Sequence, residues 1–177
     1  MNRLCVIAIL VLAGWTVNPG RALACADLQP GIQIDSFFKS VADDMLAASP
    51  TFIRQCERIA AVPTVRVSIR ALPQGEPLSS RARTMIRRYP SGALIAWVEI
   101  PALGTTLEYA ELLGHEFEHV LEQIDLVDLA SQADQDGGVW RVENGAFETE
   151  RARLAGETVA TEVAAARAPS ARSHPPH

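Results

Sequence analysis

The sequence predicts an α+β domain, on three observations. Apolar residues recur at helical spacing in two stretches before residue 62. A middle block, residues 64–100, alternates apolar and polar side chains with period two. Helical spacing then returns after Thr105. The chain has 177 residues, enough for one ordinary domain, and 48% of them are apolar, enough to bury a core.

The first helix starts at Asp35, whose side chain suits an N-cap, and Phe38, Val41, Met45 and Ala48 give it one apolar face. A second helix follows in "SPTFIRQCERIAA". Ser49 is its N-cap, and Pro50 sits in the first turn, where a missing N–H costs nothing; Phe52, Cys56 and Ile59 face inward. In "TVRVSIRAL", Val65, Val67 and Ile69 alternate with Arg66, Ser68 and Arg70, the pattern of a half-buried strand. "ARTMIRRYPSGALIAWVEI" reads as two more strands joined through Tyr89 to Gly92, with Pro101 ending the second. The expectation is a small, mainly antiparallel sheet of three strands. Thr106 caps the next helix, which runs to about Gln123. Residues 125–145 read as a polar connector with one short helix, and a final helix spans about Ala146 to Ala166.

Both ends fall outside this domain. Arg3 precedes the apolar run "LCVIAILVLAG", and "RALA" follows at Arg21 to Ala24. A short apolar segment followed by Ala-x-Ala predicts a signal peptide over residues 1–24, cleaved before Cys25, with cleavage after Ala26 as the alternative. The run is short for a membrane span. The protein is therefore expected to be exported, periplasmic or secreted, with no stable span once the signal is removed. Cys25 and Cys56 then remain, an even count that favours a disulfide in an exported protein. Closing a loop of that size contributes roughly 3–4 kcal/mol in the chain-entropy model. The single domain is expected over residues 25–166. The tail from residue 167 to 177, rich in Pro and Ser, is expected to be disordered.

Arg3 and Arg21 leave with the signal, so 14 basic residues face 21 acids, a net charge of −7. That balance argues against nucleic acid as a partner. Charge is also segregated. Residues 54–88 carry eight arginines against Glu57 and Glu76, and residues 99–162 carry fifteen acids against Arg141, Arg151 and Arg153. The arginines read first as a solvated strand face partly neutralised by the acidic helices, and second as a dock for an anionic partner.

The stretch "ELLGHEFEHVLEQ", Glu111 to Gln123, carries the chemistry. Residues four apart on a helix lie one above the other, so His115 and His119 present two imidazoles to one point. Imidazole nitrogen suits zinc, which takes about four ligands. Glu116 lies one residue round the helix from His115, placed to act on a water at the ion rather than to ligate it. Ala110, Leu113, Phe117, Val120 and Ile124 form an apolar stripe that can anchor the helix from the other side. The remaining two histidines, His174 and His177, lie in the tail. Gly114 costs about 1 kcal/mol against alanine in a helix interior, and close approach of another backbone is one reason to tolerate it.

"HEFEH" resembles the zinc-binding helix of the zincin metallopeptidases. The resemblance covers the strand from about Gly92, the helix at 106–123 and the helix from Ala146, less than half the chain. It implies a strand beside the site that holds extended substrate, with "ALIAWVEI" as its counterpart here. It also implies a third ligand. In the metzincin branch that ligand follows a glycine; here Glu122 stands at the glycine and Asp125 at the ligand position. The gluzincin branch takes a glutamate from a later helix, and "ETERA" is similar to its Glu-x-x-Ala-Asp signature, with Arg151 and Ala152 where Ala and Asp would stand. This favours Glu148, with Glu150 as the alternative; helical phase leaves both open, and both also fit an acidic first turn.

The expected activity is zinc-dependent hydrolysis of peptide bonds in a peptide or protein substrate. Zn2+ is held by His115, His119 and Glu148, and Glu116 is the base that activates a zinc-bound water. Tyr89, Tyr109, Arg141 and Arg151 are the residue types able to stabilise an oxyanion. Trp97 and Trp140 are expected as core or cleft-wall residues. The alternative reading is a catalytically inactive, zinc-stabilised binding module of the cell envelope. A third is a metal-free envelope protein that docks through its arginine face.

Overall fold

The computed structural model describes residues 31–72, 81–133, 135, 137–142 and 145–168. The expected signal peptide, Cys25 and residues 169–177 of the expected tail lie outside the described residues. So does the expected Cys25–Cys56 pairing, of which only Cys56 is seen, buried on the second helix.

The architecture is α+β. Strand β1 (Ile32–Ile34) leads into a short 3-10 turn (Ser36–Phe38) and helices α1 (Lys39–Ala48) and α2 (Pro50–Ala60). Ser49 accepts a hydrogen bond from Phe52 N at 3.0 Å with Pro50 in the first turn, the expected cap of α2, whereas Asp35, accepting from Phe37 N at 2.9 Å, caps the 3-10 turn and α1 itself begins only at Lys39, without a side-chain cap. Strands β2 (Val65–Leu72), β3 (Arg83–Arg88) and β4 (Leu94–Pro101) follow, then α3 (Thr106–Ile124) and α4 (Leu129–Ala133). A two-stranded ribbon, β5 (Val139–Arg141) with β6 (Phe147–Thr149), precedes the closing helix α5 (Glu150–Arg167).

The main sheet has the order β1-β2-β4-β3 and is mixed, which corrects the mainly antiparallel expectation. The β3–β4 hairpin is antiparallel as expected, but β4 inserts between β3 and β2 and runs parallel to β2. Helices α1 and α2 cross over between β1 and β2, which makes that pair parallel as well. β1 is absent from the sequence reading, because three residues are too few to show a period. Val65, Val67 and Ile69 of β2 and Leu94, Ala96, Val98 and Ile100 of β4 are buried toward the helices, where they meet Phe38, Met45, Phe52, Phe117 and Leu113. Trp97 falls on the opposite, open face of β4, half-buried, and Trp140 is exposed, so neither is a core residue.

That open face also carries Glu99, buried despite its charge. In register it lies between Arg70 of β2 and Arg83 of β3. Arg70 Nε donates to Oε1 at 2.8 Å and Arg83 Nε to Oε2 at 2.9 Å. Two of the sheet arginines, Arg70 and Arg83, thus share one carboxylate within the sheet. Elsewhere Arg58 pairs with Asp125 and Arg81 with Glu111.

Two other helix boundaries differ from expectation. Thr105, not Thr106, caps α3, in a reciprocal arrangement with Glu108. The last helix starts at Glu150 rather than near Ala146. Gly138 and Gly145 hold positive φ of 73° and 79° around the β5–β6 ribbon, and Thr149 caps α5 by accepting from Ala152 N at 2.9 Å. α5 continues through Arg167, one residue beyond the expected domain limit. Among the described residues no helix is long and apolar enough to cross a membrane.

α3 and α5 pack face to face through two glycines. A Cβ on Gly114 would come within 2.8 Å of Val159 Cγ2, and one on Gly156 within 2.6 Å of Glu111 O and 3.1 Å of His115 Cβ. Gly114 is therefore a contact point for the second helix, which explains a glycine in a helix interior.

Candidate metal centre

The site lies where α3, the edge strand β3 and the β5–β6 ribbon meet. The capping box starts α3 at a defined residue, and its apolar stripe packs Ala110, Leu113, Phe117 and Val120 into the core, each fully buried. The opposite side of the same helix presents His115 and His119. Their Nε2 atoms are 3.1 Å apart. Glu148 enters from β6, its Oε2 lying 3.0 Å from His115 Nε2 and 3.6 Å from His119 Nε2. Among the described residues this is the group of three His, Cys, Asp or Glu side chains able to hold a metal ion.

Tetrahedral zinc with ligands at about 2.0–2.1 Å separates its ligand atoms by roughly 3.3 Å. Separations of 3.0, 3.1 and 3.6 Å span that figure. Two imidazole nitrogens and one carboxylate oxygen are also a donor set that suits the ion. The residues present therefore fit a zinc ion.

Glu148 belongs to a strand, so the helical phase used to compare it with Glu150 does not apply. One residue separates the two, yet they end in different places. Glu148 faces the histidines, whereas Glu150, on the first turn of α5, pairs with Arg153 and is exposed to solvent. Asp125, the metzincin-type candidate, pairs with Arg58 and Arg151 at the end of α3.

Glu116 is buried beside the pair. Its Oε2 accepts a hydrogen bond from Thr84 Oγ1 on β3 at 2.5 Å. Burial raises its pKa above the ordinary carboxylate value, against the lowering pull of the histidines and of Thr84. The Glu148 carboxyl is held down at about 2, first by its hydrogen bond with His115 and then by that with His119. For His119, burial disfavours the charged ring, but hydrogen bonds to Glu122 and Glu148 outweigh it and push the pKa up to about 10. Glu122 and Glu148 thus favour a positive charge at the His119 ring, a place that a bound cation would fill instead of the proton.

An open groove passes the cluster on both sides. One cavity of about 290 Å³ is lined by Thr84, Ile86, Glu116, His119, Leu129, Val142, Ala146, Phe147 and Glu148. Another of about 250 Å³ is lined by Arg81, Glu111, Leu112, His115, Glu116, Glu148 and Arg153. β3 forms the sheet edge along it. β4, the strand expected to hold substrate, is hydrogen-bonded to neighbours on both sides and cannot do so.

Three of the four oxyanion candidates are engaged elsewhere. Tyr109 packs edge-on against Phe37 and Phe38 and lines a separate cavity. Tyr89 lies under Arg87, and Arg151 is bonded to Glu118 and Asp125. Arg141 stacks over the ring of Phe147, a residue of the groove wall, 4.8 Å from its centroid.

Sequence reasoning misses three residues of the site: Thr84, Glu122 as a partner of His119, and Thr149. Glu122 is three residues from His119 on the same helix, a spacing visible in the sequence; Thr84 reaches Glu116 only through the packing of β3 on α3. Comparison of the chain with protein-family models, with curated proteins and with solved structures finds no match.

Proposed function

We propose that this chain is a zinc-dependent peptidase of zincin type. The observation that carries the reading is the convergence of His115 Nε2, His119 Nε2 and Glu148 Oε2 beside a buried glutamate in an open groove. The resemblance of "HEFEH" to the zincin helix supports it, as does the way Glu122 and Glu148 favour positive charge at His119.

His115 and His119 through Nε2, with Glu148 through Oε2, would hold the ion. When bound, zinc supplies Lewis-acid polarisation of a carbonyl and lowers the pKa of water toward about 7. Glu116 is the proton carrier. With Oε2 engaged by Thr84, Oε1 takes the proton from the attacking water and returns it to the amine nitrogen of the departing product. Burial keeps the proton affinity of this carboxylate above that of an exposed one, which suits both halves of the transfer. Among the described residues the outer edge of β3 has no strand beside it, and it offers backbone N–H and C=O groups to an extended peptide, the pairing by which a strand is added to a sheet. Ile86, Leu129, Val142 and Phe147 favour an apolar side chain on that side of the cleaved bond.

The test has two arms. Purified protein is analysed for zinc and assayed on a peptide library, then compared with Glu116→Gln. Activity in the wild type, lost in the variant with zinc and fold retained, supports the peptidase. Zinc with no activity in either supports the alternative, an inactive zinc-stabilised binding module, which the engagement of Tyr109, Tyr89 and Arg151 away from the site favours.

A further inference from the structure

Glu122 is a charged side chain with only 1% of its surface exposed, one turn along α3 from His119. Its Oε2 lies 2.9 Å from His119 Nδ1, on the side of the ring away from Glu148. Its Oε1 accepts from Thr149 Oγ1 at 2.5 Å. Thr149 Oγ1 in turn accepts from Ala152 N at 2.9 Å as the N-cap of α5.

The directions of these bonds follow from chemistry. The Ala152 N–H occupies a lone pair of Thr149 Oγ1, which leaves the hydroxyl proton for Glu122 Oε1. A carboxylate only accepts, so the His119 proton must sit on Nδ1. In the neutral ring that a metal ligand must be, Nε2 then carries the lone pair, on the side where His115 Nε2 and Glu148 Oε2 converge.

We propose that Glu122 is a positioning residue: it fixes His119 as the Nδ1–H tautomer and, through Thr149, ties that ring to the strand that carries Glu148. The inference rests on the zinc reading above and deepens it. Thr149 is adjacent to Glu148 in β6, so the contact that orients one ligand also holds the element bearing another. Carboxylates behind ligating histidines are worth about 10–100-fold in metal affinity.

The experiment measures zinc affinity by competition with a chromogenic chelator for wild type, Glu122→Gln, Thr149→Val, Thr149→Ser and, as a control, Glu157→Gln. Melting curves establish that each variant is folded. Glu122→Gln is expected to bind zinc at least about 10-fold more weakly. Thr149→Val is expected to weaken binding several-fold, and Thr149→Ser, which keeps the hydroxyl, to restore it to within twofold of wild type. Long-range 15N–1H spectra of the zinc-loaded wild type should place the His119 proton on Nδ1. A proton on Nε2, or folded Glu122→Gln and Thr149→Val both within twofold of wild type, would overturn the inference and leave the zinc reading standing. Wild type without zinc affinity overturns both. Should Glu122→Gln not fold, the Thr149 pair and the wild-type spectrum still decide.

Discussion

Substituting Gly156 by alanine tests the close crossing that sets α5 against the histidine helix. The added Cβ would lie 2.6 Å from Glu111 O and 3.1 Å from His115 Cβ, where ordinary contact begins at 3.4 Å. Glu111 O is backbone and cannot swing aside, so the helices must part by about 0.8 Å at this point. Overpacking of this kind costs about 1–3 kcal/mol. Alanine recovers up to about 1 kcal/mol of helix propensity. Taking the middle of both ranges, the net expectation is a loss of about 1.5 kcal/mol, which for a domain of this size lowers Tm by roughly 3–6 °C. Thermal melts followed by circular dichroism read it directly. Because His115 Cβ is one of the crowded atoms, zinc affinity should fall in the same variant. A melting point equal to or above wild type would refute the close-packing argument.

Three further outcomes follow from particular contacts. Leu126 ends α3 at a positive φ of 57°, with Val127 N bonded to Glu122 O at 2.9 Å, and it is 72% exposed. Leu126→Gly should therefore raise stability by about 1 kcal/mol in urea denaturation, since strain is relieved and little packing is lost. Glu99 is buried, which raises its pKa, but Arg83 and Arg70 lower it below its ordinary value of 4.5. Its contribution is present above pH 4.5 and is lost as pH falls through the lower folded pKa. The advantage of wild type over Glu99→Gln should be about 1–2 kcal/mol at pH 7 and shrink below about pH 4. Thr84→Val removes the hydroxyl bonded to Glu116; peptidase turnover should drop while zinc content stays equal to wild type, and Thr84→Ser should recover it.

Some layers of this molecule are legible in the sequence and others are hidden. Caps at Asp35 and Ser49 and the alternation of Val65, Val67 and Ile69 are local signals, and the structure carries each. Strand order is not local. Nothing in "ALIAWVEI" tells whether it lies at an edge or between two neighbours, so the sequence reading gives β4 the edge place beside the site that β3 holds. At Glu148 the local signal points the wrong way. "NGAFETERARLAG" carries good helix formers, yet ribbon pairing with Val139–Arg141 keeps Phe147 to Thr149 extended until Thr149 caps the helix. The histidine pair is legible because one helical turn suffices to bring it together; Thr84 is not, because only the packing of β3 against α3 brings it to Glu116.

The most direct test of the central claim is a crystal structure of zinc-loaded protein with anomalous scattering recorded at the zinc edge. The account predicts one ion bonded to His115 Nε2, His119 Nε2 and a Glu148 oxygen, with Glu116 adjacent and not coordinating. Absence of an ion at saturating zinc, or an ion held by other residues while His115 and His119 remain unligated, would contradict it.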